Sequence, residues 1–314
     1  MYFPFFRGKQ YDLLTIREST DIIVSSGFIP IIEPVKESLS SLNRCLASLD
    51  EAKAECILIA NPRYGDHAQQ HGNLQDFIAE DVNDSKYITI GILLLETTPI
   101  EEIDRLYKLF SGKKISFIHS GFKKPKDLSA WFLQNDVSAR QIFIETNCGK
   151  IYRRNFNKYD RVLIRDGFEK RINRKHPEVE EFSDLHLTYS EEGVQGFGDF
   201  LIVGDDYSVG GGPAYAVAIH LTYIDDDEDG IMYVHHFKSI RQNTPTDPAG
   251  KFLEALDKLV HAVDEPNTKI WKTSAVEEFV QLHKKKHFPG LGTVKKLSMI
   301  HHLETLAIFA KQEK

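Results

Sequence analysis

The sequence predicts an α/β fold, a (β/α)8 TIM-barrel-like domain carrying an added β-hairpin and a C-terminal helical appendage. Three observations predict it. Eight short β-branched or aromatic runs recur through the first two thirds of the chain, their starts 20 to 39 residues apart, close to the length of a strand, a helix and two loops. Runs such as Ile88-Thr-Ile-Gly-Ile-Leu-Leu-Leu95 are apolar at successive positions, as parallel strands covered on both faces require. The first turn, Arg7-Gly8-Lys9, has one glycine, where an open dinucleotide-binding sheet would carry several, so a closed barrel is preferred.

The predicted strands are residues 2–6, 28–32, 56–60, 88–94, 115–118, 141–144, 161–164 and 200–203. After the second, Leu42, Leu46 and Leu49 repeat at helical spacing. After the fourth, Thr98-Pro-Ile-Glu101 reads as a capping box with proline at the first helical position, followed by Ile100, Ile103, Tyr107 and Phe110 on one face. Leu128, Trp131 and Phe132 follow Pro125 after the fifth. Residues 216–224 and 231–237 flank Asp225-Asp-Asp-Glu-Asp-Gly230, a hairpin turn and not a calcium loop, because its twelfth position is His236. Residues 1–240 are therefore assigned to the barrel with its terminal hairpin. Residues 249–314 form the helical appendage, with Phe252 to Val263 striping the first helix, Ser274-Ala-Val-Glu277 capping the second, and Leu297, Ile300 and Leu303 marking the third.

At 41% hydrophobic and 27% charged residues the chain is globular, and no apolar run approaches the roughly 20 residues of a membrane span. The start lacks the pattern of a signal peptide, so a cytoplasmic protein without membrane attachment is expected. Cys45, Cys56 and Cys148 are read as reduced core residues. Residues 150–175 are strongly basic and contain Tyr152, Phe156 and Tyr159, residue types that stack on bases; the net charge of −7 argues against indiscriminate nucleic-acid binding.

In a βα barrel the site lies at the carboxyl ends of the strands. The residues there make the candidate ligand-binding set: Lys9, Glu33, Asn61, His119, Glu145, Arg165 and Asp205, joined by Gly210, Gly211 and Gly212, whose backbone N–H groups suit an anion. A phosphate-bearing ligand or nucleic acid fits this mixture. The alternative is a metal-assisted hydrolase or other enzyme acting on a phosphorylated substrate, a divalent cation being held by Glu33, Glu145 and Asp205. No metal ligands are assigned among the histidines, since His235–His236 and His301–His302 are adjacent pairs that point apart. His119 and His220 are read as satisfied histidines or ligand contacts. No catalytic acid, base and nucleophile set is encoded at recognisable spacing.

The opening Tyr2-Phe-Pro-Phe-Phe-Arg-Gly-Lys-Gln-Tyr-Asp-Leu-Leu13, the strand Ile29-Pro-Ile-Ile-Glu-Pro34, Gly196-Phe-Gly-Asp199, Pro213-Ala-Tyr-Ala-Val-Ala-Ile-His-Leu-Thr222 and His235-His-Phe237 resemble the Beta-protein family, named for a satellite-prophage protein. The resemblance covers most of the chain to about Ser239. It implies a barrel-like bacterial or prophage-borne protein of mobile defence islands, a recognition or regulatory component of a two-gene antiviral or toxin system whose partner is the product of a neighbouring, nuclease-like gene. Arg7-Gly-Lys9 departs from the relatives' more lysine-rich first strand.

Overall fold

The computed structural model describes residues 1–82, 85–210, 212 and 214–312. The chain divides into two compact units: residues 1–166 with 188–200, and residues 167–187 with 201–314.

The first unit is the barrel. Its strands are β1 (Phe5–Phe6), β2 (Ile31–Ile32), β3 (Cys56–Ile59), β4 (Ile88–Leu95), β5 (Ile115–Ser120), β6 (Arg140–Ile144) and β7 (Arg161–Ile164), then β9 (Gly196–Gly198), all parallel and in sequence order. Around them run α1 (Gln10–Glu18), α2 (Thr20–Ser26), α3 (Ser40–Glu51), α4 (Gly72–Glu80), α5 (Ile100–Leu109), α6 (Pro125–Gln134) and the short α7 (Lys150–Arg153). A (β/α)8 TIM-barrel-like fold results. Strand alternation sends Phe3, Phe5, Ile31, Ile57, Ile59, Leu93, Ile118, Ile142, Ile144, Val162 and Ile164 into one buried cluster filling the interior. Between β9 and the start of the chain the ring closes through backbone: Phe197 N–H to Met1 O (3.0 Å), Phe3 N–H to Phe197 O (2.8 Å) and Phe5 N–H to Asp199 O (2.9 Å). The Tyr2 hydroxyl also donates to Asp199 Oδ1 at 2.7 Å.

Seven of the eight strands fall where the residue pattern placed them. The eighth does not: residues 201–203 form a 3-10 turn, and the strand is the preceding Gly-Phe-Gly. Thr98 is not the cap of α5, whose N-cap is Pro99; its hydroxyl accepts from the Leu95 N–H at 2.9 Å.

The second unit holds β8 (Val179–Ser183), the short α8 (Leu185–Thr188, whose last residue belongs to the barrel unit), β10 (Ala218–Asp225), β11 (Ile231–Lys238), α9 (Pro248–Asp264), α10 (Ser274–Lys285) and α11 (Leu291–Gln312). The strands make an antiparallel sheet in the order β10-β11-β8, with the acidic stretch turning the chain between β10 and β11 as expected. Val217, Ile219, Leu221 and Phe237 bury against Phe252, Leu256, Leu259, Phe279, Val294 and Leu297, so sheet and helices share one apolar core. The division at residues 240–249 is thus replaced by a unit combining hairpin and helices, because neither could bury its apolar face alone. Thr273, one residue before the expected cap, caps α10 by accepting from Val276 N–H. All three cysteines are free and buried. Among the described residues no helix is long and apolar enough to cross a membrane.

Candidate functional site

At the carboxyl end of the barrel the inward-pointing positions after β1 and β2 carry Arg7 and Glu33, both almost wholly buried and joined as an ion pair. Glu33 Oε1 accepts from the Arg63 N–H at 2.6 Å and the Tyr64 N–H at 3.3 Å, and the Arg7 guanidinium lies about 5 Å from the ring centres of Phe5, Tyr64 and Phe200. These groups plug the mouth. Asn61 is committed to the sheet: its side-chain amide exchanges two hydrogen bonds with the Leu93 backbone, each 2.8 Å. Arg165 binds Glu145 through two contacts of 2.5 and 3.2 Å, while Arg153 and Lys150 pair with Glu192 at 2.7 and 3.0 Å. Lys9 precedes α1, its backbone N–H reaching Asp12 Oδ2 at 3.3 Å.

His119 lies on β5 next to interior-facing Ile118, and alternation turns it outward toward the helices. Its Nε2 is 2.8 Å from Gln141 Oε1 and its Nδ1 2.7 Å from the Tyr152 hydroxyl, between Phe143 and Phe156. Gln141 Nε2 donates to Ala139 O, which fixes its Oε1 as acceptor, so His119 carries its proton on Nε2 and accepts from Tyr152. Burial lowers its pKa to about 3. The ring is structural, and Tyr152 and Phe156 pack beside it, facing inward and not as a stacking surface for bases. This gives a pH prediction. Below about pH 6.5 the unfolded chain takes up a proton that folded His119 refuses, so stability falls as pH drops toward 3, by up to about 1.4 kcal/mol per pH unit from this histidine. Equilibrium urea unfolding should show a shallower loss between pH 6.5 and 4 in His119→Gln; an unchanged slope would count against the assignment.

Asp205, Gly210 and Gly212 belong to the second unit, Gly210 and Gly212 being exposed, and Gly211 lies outside the described residues. Of the predicted set, Glu33, Glu145 and Arg165 stand in ion pairs, Asn61 is bonded to the sheet and His119 is a core histidine. Glu33 and Glu145 are each held by an arginine, and no shared carboxylate site for a cation forms between them.

An open cavity of about 370 Å³ does lie at this end, beside β1 and β2. Gly8, Gln10 and Leu13 line one side and Lys36, Ser38 and Ser41 the other, bringing the first turns of α1 and α3 to one space; Glu37 and Asp66 also line it, Asp66 Oδ2 accepting from the Glu37 N–H at 2.9 Å. Gly8, at φ +62°, permits the approach, since a Cβ there would stand 2.8 Å from Glu33 O. Leu39 at the N-cap of α3 offers no side-chain acceptor to the first-turn N–H groups, which therefore keep their partial positive charge. Sequence reading missed this cavity, although the apolar-for-polar cap at Leu39 was a visible signal.

No family model and no curated protein matches this chain.

The second unit holds a group that histidine spacing did not disclose. His176 Nδ1, Glu180 Oε1 and His236 Nε2 come within 4.8 Å of one another. His236 Nδ1 is 2.6 Å from His220 Nδ1, and Arg171 Nη1 is 2.7 Å from both Glu180 oxygens. Burial lowers the pKa of His236 to about 4 and lowers those of His176 and His220. Burial also opposes the charge on Glu180, but Arg171 and His236 outweigh it and hold that carboxyl below its ordinary value. The legible signal was His176-x-x-x-Glu180; its partner strand lies more than fifty residues away.

Proposed function

We propose that the barrel is a recognition module that binds a small phosphate-bearing ligand in the cavity beside β1 and β2 and does not transform it. The observation that carries this reading is the first turn of α3, which no side chain caps, opening with Lys36 on a cavity, whereas the first turn of α1 is already taken by the Asp12 carboxylate. Helix N-termini present N–H donors and positive dipole ends, the ordinary recognition chemistry for phosphate. Binding without turnover fits the mouth, where Arg7, Glu33, Glu145, Arg153, Arg165 and Glu192 are engaged with one another and Asn61 is bound to backbone. Taken with the Beta-protein resemblance, this reading makes the chain the recognition component of a two-gene antiviral or toxin system acting beside a nuclease-like partner.

Calorimetry with inorganic phosphate and nucleoside phosphates tests the ligand class. Lys36→Glu should weaken binding at least about tenfold, the loss of one charge-assisted contact worth roughly 1.5–3 kcal/mol. Leu39→Asp places a carboxylate at the first turn of α3, where it competes with an anionic ligand, so it should abolish binding. Wild-type protein that binds none of these probes, or variants that bind like wild type, would reject the cavity as the site.

A further inference from the structure

We propose that His176, Glu180 and His236 form a three-ligand centre for a divalent transition-metal ion of the zinc class, with His220 as the outer partner that orients His236. The centre lies wholly within the second unit, whereas the cavity beside β1 and β2 belongs to the first.

The geometry comes from two strands. Glu180 is on β8, with His176 four residues earlier in the segment leading into it, and His236 is on the neighbouring β11, where Val234 pairs with Glu180. His220 is the direct cross-strand partner of His236 on β10. A tetrahedral ion bonded to nitrogen and oxygen at about 2.0–2.1 Å places its ligands roughly 3.3 Å apart. Here Glu180 Oε1 stands 2.9 Å from His236 Nε2 and 3.6 Å from His176 Nδ1, values that bracket that separation. Small side-chain adjustments suffice.

An independent observation points the same way. His176 is 3% exposed, and its Nδ1 is buried with no hydrogen-bond partner, the carboxylate oxygen at 3.6 Å being beyond reach. An orphaned buried ring nitrogen costs about 1–3 kcal/mol unless something else engages it, and it faces the same oxygen that His236 approaches. Each carboxylate oxygen has two lone pairs, so Glu180 Oε1 can keep Arg171 on one and offer the other to an ion in place of the His236 proton. With Nε2 on the ion, His236 carries its proton on Nδ1 and donates it to His220 Nδ1, the usual way a second residue fixes the tautomer of a ligating histidine. Two imidazoles and one carboxylate select zinc, cobalt, nickel or iron over magnesium and calcium, which require more oxygen ligands. Three protein ligands leave a fourth position open, the arrangement of reactive rather than purely structural centres.

The test uses the full chain after chelation, titrated with Co²⁺ and followed by visible absorption and calorimetry. One equivalent should bind with the intense d–d bands of a four- or five-coordinate site, and Zn²⁺ should displace it. His176→Gln and His236→Gln should each abolish those bands, and His220→Ala should weaken affinity about 10–100-fold. Because the His176 ring is buried against His236 and Phe168, metal-free melting of each variant is measured alongside, and loss of the bands counts only from a variant that still unfolds cooperatively. Removing His261 and His283, which flank Asp257 on the surface, should change nothing at this site. The proposal is overturned if wild type takes up no Co²⁺ at micromolar concentration, if the bands persist in His176→Gln and His236→Gln, or if binding disappears only in the His261/His283 variant.

Discussion

Replacing Glu33 with alanine is expected to remove about 3–5 kcal/mol of folding stability, the cost of leaving a buried charge without its counter-ion. Arg7 is 4% exposed and Glu33 fully buried, so water cannot take the place of the lost carboxylate. The same substitution strands the Arg63 and Tyr64 N–H groups that converge on Oε1. Glu145→Ala is the contrasting case. Its pair with Arg165 leaves both side chains more than a quarter exposed, and exposed pairs contribute about 0–1 kcal/mol. Denaturant unfolding of the two variants decides the matter: equal losses would mean that the mouth is hydrated and that the Arg7–Glu33 pair is no plug. The double variant Arg7→Met with Glu33→Gln should recover part of the loss, since it removes both charges and retains an acceptor for the two N–H groups.

The barrel was legible because its strands bury both faces, which leaves continuous apolar runs at a regular interval. The candidate residues were legible only as strand ends. Sequence places Glu33, Asn61, Glu145 and Arg165 after their strands, but whether a rim charge meets a ligand or another rim charge depends on pairing across neighbouring βα units, and local pattern carries no trace of it. His119 illustrates the other difficulty: near the end of a strand, a shift of one residue exchanges barrel interior for helix layer. The histidine centre was hidden for a related reason. Adjacent His235 and His236 do point apart, as expected, but only one of them is needed, and its companions come from β8 and the segment before it. A strand that leaves the barrel after β7 to join a separate sheet breaks the βα rhythm and was not foreseen.

The misplaced eighth strand follows from the same physics, and it yields the second large effect. Phe200-Leu-Ile-Val203 has the composition of a strand, while Gly196-Phe-Gly198 has that of a turn, yet the seam must run through the glycines. A Cβ on Gly198 would sit 2.0 Å from Phe3 O and 2.6 Å from Ile164 Cδ1, and one on Gly196 2.6 Å from the Phe3 ring. The obstacle at Gly198 is backbone that itself hydrogen-bonds across the seam, so it cannot move aside without parting β9 from the start of the chain. Gly198→Ala is therefore expected to cost about 3 kcal/mol or more, at or beyond the upper end of ordinary overpacking, and to speed amide exchange at Phe3, Phe5 and Phe197. Gly149→Ala, where a Cβ meets nothing within 4 Å, should stay within roughly 1 kcal/mol of wild type. Were Gly198→Ala as stable as Gly149→Ala, with seam amides still protected, the close approach of β9 to the first strand would be wrong and closure of the barrel would have to rest on other contacts.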